Sequence, residues 1–235
     1  MKKEQLEALF TVSADARKAT VERHKNAGVA IPFPDTVFID ESVTIAPGAV
    51  VLAGTMLFGR TTIGEGCVIG PNTMLFDVAV GSGTVLNNVE GESAEVGKDC
   101  DIGPFVHIRP NSKLADKVHL GNFVEVKNST IDSGTKVSHL TYVGDSDVGK
   151  NCNFGCGTVT VNYDGKNKAR CTIGEHCFIG CNTNLIAPVT VGDFAYTAAG
   201  STITDSVPGN ALAIARARQV NKEDWVLKKK PYKDC

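Results

Sequence analysis

The residues able to do chemistry are concentrated between Ile102 and Lys168. His139 stands two positions after the aliphatic residue Val137, among the polar residues Ser138, Thr141 and Tyr142. An imidazole there has two readings: a general base working near neutral pH, or an ordinary surface histidine. His24, His107, His119 and His176 lack such surroundings and are read as ordinary. Arg109 and Lys127 are eighteen residues apart, and Lys168 follows in a polar stretch with Lys166 and Arg170, near Lys150. Stacked cations repel unless an anion sits between them, and a phosphate would serve; the plainer reading is scattered surface charge. Glu125, two residues before Lys127, is placed to orient His139 or to neutralise Lys127. His107, His119 and His139 lack the ligand spacing of a three-histidine zinc centre, so no metal is expected. No Ser-His-Asp set and no phosphate-binding glycine loop appears.

What must position these residues is a repeat. Ile39, Ile45, Val51, Leu57, Ile63, Ile69 and Leu75 recur every six residues. Further runs are Val96 to Val126, Ile131 to Val143, and Ile173 to Ile203, with slips near Val80, Ile131 and Val148. Four residues after most anchors comes a small or β-branched residue, such as Ala49, Thr55, Thr61, Cys67 or Thr73. A helix would repeat at three or four and a half-buried strand at two. A period of six predicts an all-β chain, a parallel β-helix of hexapeptide repeats whose stacked coils bury an aliphatic column. The glycines after many anchors (Gly64, Gly70, Gly81, Gly97, Gly103, Gly174, Gly180, Gly192) suit turns with unusual backbone angles. If three hexapeptides make one coil, Arg109 and Lys127 stack on one wall.

Residues 1–34 are expected to be a helical segment and connector. Leu6, Leu9 and Phe10 form an apolar face in a helix over Lys3 to Asn26, with Ser13 or Asp15 as a second cap and Gly28 as a stop. Ile31-Pro32-Phe33-Pro34 then excludes helix. The coil domain is expected over 35–209 and a C-terminal arm over 210–235, helical or extended from Asn210 to Val226, with Trp225 as its anchor. Two stretches interrupt the repeat: the acidic Leu86 to Glu95, read as a bulged turn, and Val161 to Thr172, read as a loop with Asp164-Gly165 as its turn.

A net charge of −2 argues against a nucleic-acid partner, and Lys228-Lys229-Lys230 reads as a solvated tail. The first residues, Met1-Lys2-Lys3-Glu4-Gln5, are not a signal-peptide run, and no window nears the ~20 apolar residues a membrane span needs. A cytoplasmic protein with no membrane partner is expected. The eight cysteines are accordingly expected to be thiols at corners of the repeat rather than a disulfide framework.

Several strings of this sequence resemble a known family. They are Gly103-Pro104-Phe105, Ile108-Arg109-Pro110, Gly121-Asn122-Phe123-Val124-Glu125-Val126-Lys127, His139-Leu140-Thr141-Tyr142, and Asn162-Tyr163-Asp164-Gly165-Lys166-Asn167-Lys168. They look like the acetyltransferase domain of the bacterial bifunctional enzyme that acetylates glucosamine-1-phosphate and then uridylylates it. The likeness runs from about Glu22 to Trp225 and includes Arg23-His24-Lys25. The nucleotidyl-transferring half has no counterpart here, so neither uridylyl transfer nor its magnesium ion is expected. The resemblance implies a left-handed coil, a homotrimer with sites between neighbouring subunits, and acetyl-CoA as co-substrate. It also implies roles for individual residues. His139 would be the general base. Arg109, Lys127 and Lys168 would hold the sugar phosphate, and Tyr142 and Asn153 would contact the sugar. Asn162 and Tyr163 would lie beside the acetyl group and the pantetheine arm. Cys156, Cys181, Ala199 and Arg216 match coenzyme-A-contacting positions, although the family commonly has alanine at the position of Cys156 and serine at that of Cys181. Two other functions stay open at this stage: acetyl transfer to a different amino-sugar phosphate or nucleotide-linked amino sugar, and a non-catalytic trimeric scaffold that binds sugar nucleotides.

Overall fold

The computed structural model describes residues 12–229. Helix α1 spans Ala14–Asn26 and begins at the Ser13 cap, whose Oγ accepts a hydrogen bond from the Ala16 amide at 3.2 Å. Asp15 in the first turn and Arg23 and Lys25 in the last complement the helix dipole. Val21 and His24 are its buried residues. Ala27 caps its end, and Gly28 follows with φ +91°. Leu6, Leu9 and Phe10, expected to form an apolar helical face, lie outside the described residues. After a short 3-10 turn at Pro34–Thr36, every named strand pair is parallel.

The strands form three walls of a β-helix. On the first wall the outward-facing column runs Phe38, Met56, Met74, Glu90, His107, Glu125, Tyr142, Val159, Asn184, Thr202, so the solenoid has about ten coils. The second runs Thr44, Thr62, Ala79, Glu95, Lys113, Thr130, Asp147, Thr172, Thr190. The third runs Val50, Val68, Val85, Asp101, His119, Lys136, Asn153, Phe178, Tyr196, Leu212. Ala30 adds a bridge to Val50 at the N-terminal end. The rung Leu212–Ala213 carries the ladder past Gly209 at the other. One residue after each outward position the side chain points inward. Leu57, Ile69, Leu75, Ile108, Leu120, Ile131, Ile179 and Leu185 are each 0 % exposed. Each such burial contributes about 1.5–3 kcal/mol, and this, repeated coil after coil, is the core.

The commonest coil takes eighteen residues, as between Phe38, Met56 and Met74. The slips in the repeat are shorter coils, such as Met74 beside Glu90 and Thr62 beside Ala79. Leu86 to Glu95 is not a bulged turn: Val89–Val96 is a strand paired along its length with Met74–Val80. The aliphatic beat vanishes there because Gly91 and Ala94 fill the interior, and a Cβ on Gly91 would lie 2.9 Å from Leu75. The small slots are buried too, and their threonine hydroxyls donate to backbone carbonyls: Thr61 to Phe58, Thr84 to Gly97, Thr135 to Gly149.

The glycine expectation needs correction. Of the eight glycines after anchors, only Gly70 and Gly103 have positive φ. The others are required because the coils approach closely: a Cβ on Gly81 would lie 2.6 Å from the Gly97 carbonyl carbon, and one on Gly192 2.5 Å from the Gly209 nitrogen. Asn72, Asn111, Asn151 and Asn182 take left-handed angles that an asparagine tolerates.

The seven described cysteines form no disulfide. Cys67, Cys100, Cys152 and Cys177 are buried, and their thiols donate to carbonyls of the next coil. Beyond the last rung the chain is exposed, and Trp225 opens a short helix, α2 (Trp225–Lys229), with its ring about half exposed. None of the residues of α2 is buried among the described residues. No described helix is long and apolar enough to cross a membrane.

Candidate active site

Two corners of the solenoid flank the first wall, and the residues of interest divide between them. The corner joining the first wall to the second holds the charges. Arg109 is the residue after Ile108, which pairs with Val126, so Arg109 stands over Lys127 as the coil arithmetic predicts. One coil further on, Lys127 stands beside Gly144, and the Asp145 amide donates to the Lys127 carbonyl at 2.9 Å. One coil beyond that the chain leaves the repeat at Val161, and Ser146 next pairs with Cys171, so this coil is seven residues longer than the one that follows it. The excursion expected over Val161 to Thr172 is therefore real but narrower, 162–170, because Val161 and Thr172 belong to wall strands. Inside it Tyr163 and Lys168 form an antiparallel bridge, and Asp164 accepts from the amides of Lys166 and Asn167. Tyr163 donates its hydroxyl to the Gly165 carbonyl at 2.6 Å.

Asp145, which sequence reasoning missed, is the centre of this corner. It is 4 % exposed and accepts hydrogen bonds from the side-chain amides of Asn128 and Asn162. Lys127 Nζ lies 3.9 Å from its Oδ2. Burial pushes the carboxyl up, but the Asn128 and Asn162 hydrogen bonds and the charges of Lys127 and Lys168 bring it net below its ordinary value. The neighbouring Lys168 ammonium, burial and the Arg109 charge together lower Lys127, against the opposing pull of Asp145. The tyrosine hydroxyl of Tyr142 lies 3.4 Å from Asn162 Nδ2. A signal for Asp145 exists in the sequence. The eighteen-residue step from Arg109 to Lys127, taken once more, lands on Asp145, and the next, one residue shorter, lands on Asn162.

One expectation about a charged partner changes, and one loop cation is paired. Glu125 neither neutralises Lys127 nor touches His139: its Oε1 accepts from Arg109 Nη1 at 2.8 Å, both side chains being about 40 % exposed. Arg170 is not a free loop cation. It grips Asp147 through two hydrogen bonds, at 3.0 and 2.6 Å, and donates to the Asn128 carbonyl at 3.0 Å, which fastens the returning loop to the second wall. The Asp147 hydrogen bonds raise the guanidinium further above its already high value.

The corner joining the third wall to the first is different. His139 pairs with Asn122 in the coil before it. The register of the flanking strands continues this column through Cys156, Cys181 and Ala199. The hydrogen bonds from Asn182 to the Cys156 carbonyl and from Gly200 to the Cys181 carbonyl run along it. The Arg216 side chain passes the Gly200 backbone, where a Cβ would meet its Cδ at 3.7 Å. Residues seventeen, twenty-five and eighteen positions apart thus fall on one edge. His139, Cys181, Ala199 and Arg216 are exposed and Cys156 is half-buried. The imidazole makes no hydrogen bond among the described residues. With coils about 4.8 Å apart, the edge from His139 to Ala199 is about 15 Å long.

His139 and Gly144 end up on the two sides of the same wall within the strand Lys136–Gly144. Five residues at about 3.3 Å each put the two corners at most about 16 Å apart, with Tyr142 between. Asn153 is not among them: it belongs to the third wall, in a groove with Asn151, His176, Phe178, Phe194 and Tyr196. His107 and His119 stand on the first and third walls, away from each other. The arrangement pairs an accessible imidazole with a cationic corner across one wall. It is suited to an elongated ligand with an anion at one end and an acidic proton toward the other.

Comparison with known proteins agrees with the coil. The profile described as Bacterial transferase hexapeptide (six repeats) matches residues 170–205. Among curated proteins, the chain is 55 % identical over 219 residues to the protein named Bifunctional protein GlmU of Geobacillus sp. (strain WCH70), covering 93 % of this chain and 48 % of that one. The protein of that name from Halalkalibacterium halodurans is 54 % identical over 202 residues, covering 86 % of this chain and 44 % of its own length. That from Caldanaerobacter subterraneus subsp. tengcongensis is 53 % identical over 210 residues, covering 89 % and 46 %. The chain spans about half the length of the curated relatives it matches.

Proposed function

We propose that this chain is a glucosamine-1-phosphate N-acetyltransferase: it moves the acetyl group of acetyl-CoA onto the sugar amine and yields N-acetylglucosamine-1-phosphate, a precursor for UDP-N-acetylglucosamine. The observation that supports it best is the pairing of two columns across one wall. One column carries Arg109, Lys127 and, through the loop, Lys168; the other carries His139 with Cys156, Cys181, Ala199 and Arg216. The similarity to half of each bifunctional relative points the same way.

In this reading the phosphate sits at the cationic corner, where a charge-assisted contact relieves the repulsion among Arg109, Lys127 and Lys168. Tyr142 meets the sugar along the wall. The amine is then presented to His139, which takes its proton as nitrogen attacks the thioester carbonyl. The carbon–nitrogen bond forms, the carbon–sulfur bond breaks, and the coenzyme A thiolate leaves with the proton His139 returns. Holding both substrates against one wall replaces a bimolecular encounter by an oriented one. The edge from Cys156 to Arg216 takes the extended pantetheine arm, beside Asn162 and Tyr163 on the loop. Asn153 faces another wall of its own chain, so its contact with the sugar comes from a neighbouring subunit. That requires the left-handed homotrimer with sites between subunits that the resemblance implies. The enzyme is assigned to the cytoplasm, where acetyl-CoA is at hand.

The experiment is thiol release from acetyl-CoA with glucosamine-1-phosphate, galactosamine-1-phosphate and a nucleotide-linked amino sugar as acceptors. Turnover with the first far above the others is expected. Preference for another acceptor would replace the substrate, and binding without thiol release would make the coil a scaffold.

A further inference from the structure

Asp145 has no part in the chemistry just described, yet it is the only carboxylate within 4.0 Å of Lys127 among the described residues. Its surroundings are specific. Two carboxamides from two different segments, Asn128 on the coil before and Asn162 at the root of the excursion, both donate to it. Its backbone is fastened on both sides, the amide to the Lys127 carbonyl and the carbonyl to the Cys171 amide where the excursion returns. All the charged groups of the corner can be named. Lys127 faces Lys168 and Arg109 as well as Asp145; Glu125 is spent on Arg109, and Asp147 on Arg170. Lys127 and Lys168 thus share one buried carboxylate, with the Arg109 charge close to Lys127.

We propose that Asp145 is a positioning residue for the acceptor end of the site: it keeps Lys127 protonated and aimed at the corner against two other cations, and it roots the 162–170 excursion through Asn162, so that Lys168 and Tyr163 stand where they are needed. Binding of the anionic acceptor and placement of the loop therefore depend on one carboxylate. This rests on the acetyl-transfer reading for its kinetic consequence only, since the ionisation of Lys127 is measured without substrate.

Asp145→Asn keeps the shape and the left-handed φ of +47°, which asparagine tolerates, and removes the charge. Titration of Lys127 by NMR of the isotopically dimethylated protein is expected to show its midpoint lowered by at least about one pH unit, tenfold in the protonation equilibrium. The exchange Asn128→Asp with Asp145→Asn returns a carboxylate to the same pair and is expected to bring the midpoint back. An unchanged midpoint in the single variant, or a folded exchange variant without recovery, overturns the proposal. If the single variant does not fold, the exchange variant decides. Its failure to fold as well makes Asp145 a purely structural residue and overturns the positioning role. In the acetyl-transfer assay the rise of KM for glucosamine-1-phosphate with increasing pH should set in at lower pH in Asp145→Asn than in the unaltered protein, with kcat little changed. A pH-independent fall in kcat counts against it. Absence of any turnover in the unaltered protein sinks the acetyl-transfer reading while the Lys127 titration still judges Asp145.

Discussion

The two corners that flank the first wall solve opposite problems. At the charged corner most polar groups are engaged with one another: Arg109 with Glu125, Lys127 with Asp145, Asp145 with two carboxamides, Arg170 with Asp147. At the other corner the column below His139 is made of side chains too small to engage anything, Cys156, Cys181 and Ala199, with glycines between. A cationic site needs anchoring because like charges must be held together, and the anchoring costs space. An edge that receives a long, thin ligand needs the reverse, a strip from which bulk has been removed. Specificity at the first corner therefore comes from what is present, and at the second from what is missing.

That contrast can be broken by exchanging the burdens. The largest effect is expected from His139→Ala, which removes the proton acceptor without touching the core: kcat should fall about 10²–10⁴-fold with the coil intact by circular dichroism. Unchanged turnover would move the base elsewhere. Next, Lys127→Ala leaves Asp145 buried without its cation, so KM for glucosamine-1-phosphate should rise by roughly 10²-fold, a loss of about 2–3 kcal/mol, while KM for acetyl-CoA stays within a few-fold. Equal effects on both substrates would deny that the corners are separate. Cys181→Phe adds bulk to the bare edge and should produce the mirror image, a rise of about tenfold in KM for acetyl-CoA alone. The smallest change is Cys181→Ser, which restores the residue common in the family at nearly equal volume. Acetyl-CoA affinity should improve by no more than about threefold, the worth of one weak hydrogen bond. Calorimetry would read it directly, and a loss of affinity would show that the thiol itself is favoured there.

How much of this could be read from the sequence follows the same division. The period of six exposed the coil because aliphatic anchors such as Leu57, Ile108 and Ile179 occupy the interior at every return. The Arg109–Lys127 stack followed from coil length alone. Where the interior is filled by Gly91 and Ala94 the beat disappears, and the strand Val89–Val96 was hidden in an acidic string. Asp145 was overlooked because Gly144-Asp145-Ser146 reads as a turn, in which an aspartate is unremarkable; its meaning depends on Asn128 and Asn162, neighbours one coil away on either side. Glycine was misassigned for a related reason. Its presence after an anchor was visible, but whether it serves a dihedral angle, as at Gly103, or a close approach between backbones, as at Gly81, depends on the neighbouring coil. The edge below His139 carries no chemical signature, only small residues at intervals of seventeen, twenty-five and eighteen, and no local pattern links them.

The ladder also sets how this protein is expected to be assembled and remodelled. Every strand pairing on the walls joins residues about one turn of the solenoid apart, whatever the total length, so the chain never has to find a distant partner to make its next contact. Order can begin in any few adjacent turns and spread in both directions, and loss of order should start from the two ends, where a rung has only one neighbour. Lengthening or shortening is tolerated at a corner, as the seven extra residues of the excursion demonstrate, or in whole turns, but one residue added within a wall would turn the anchor that follows it on that wall outward. The protein is thus written in units of a turn, with novelty admitted only at the edges.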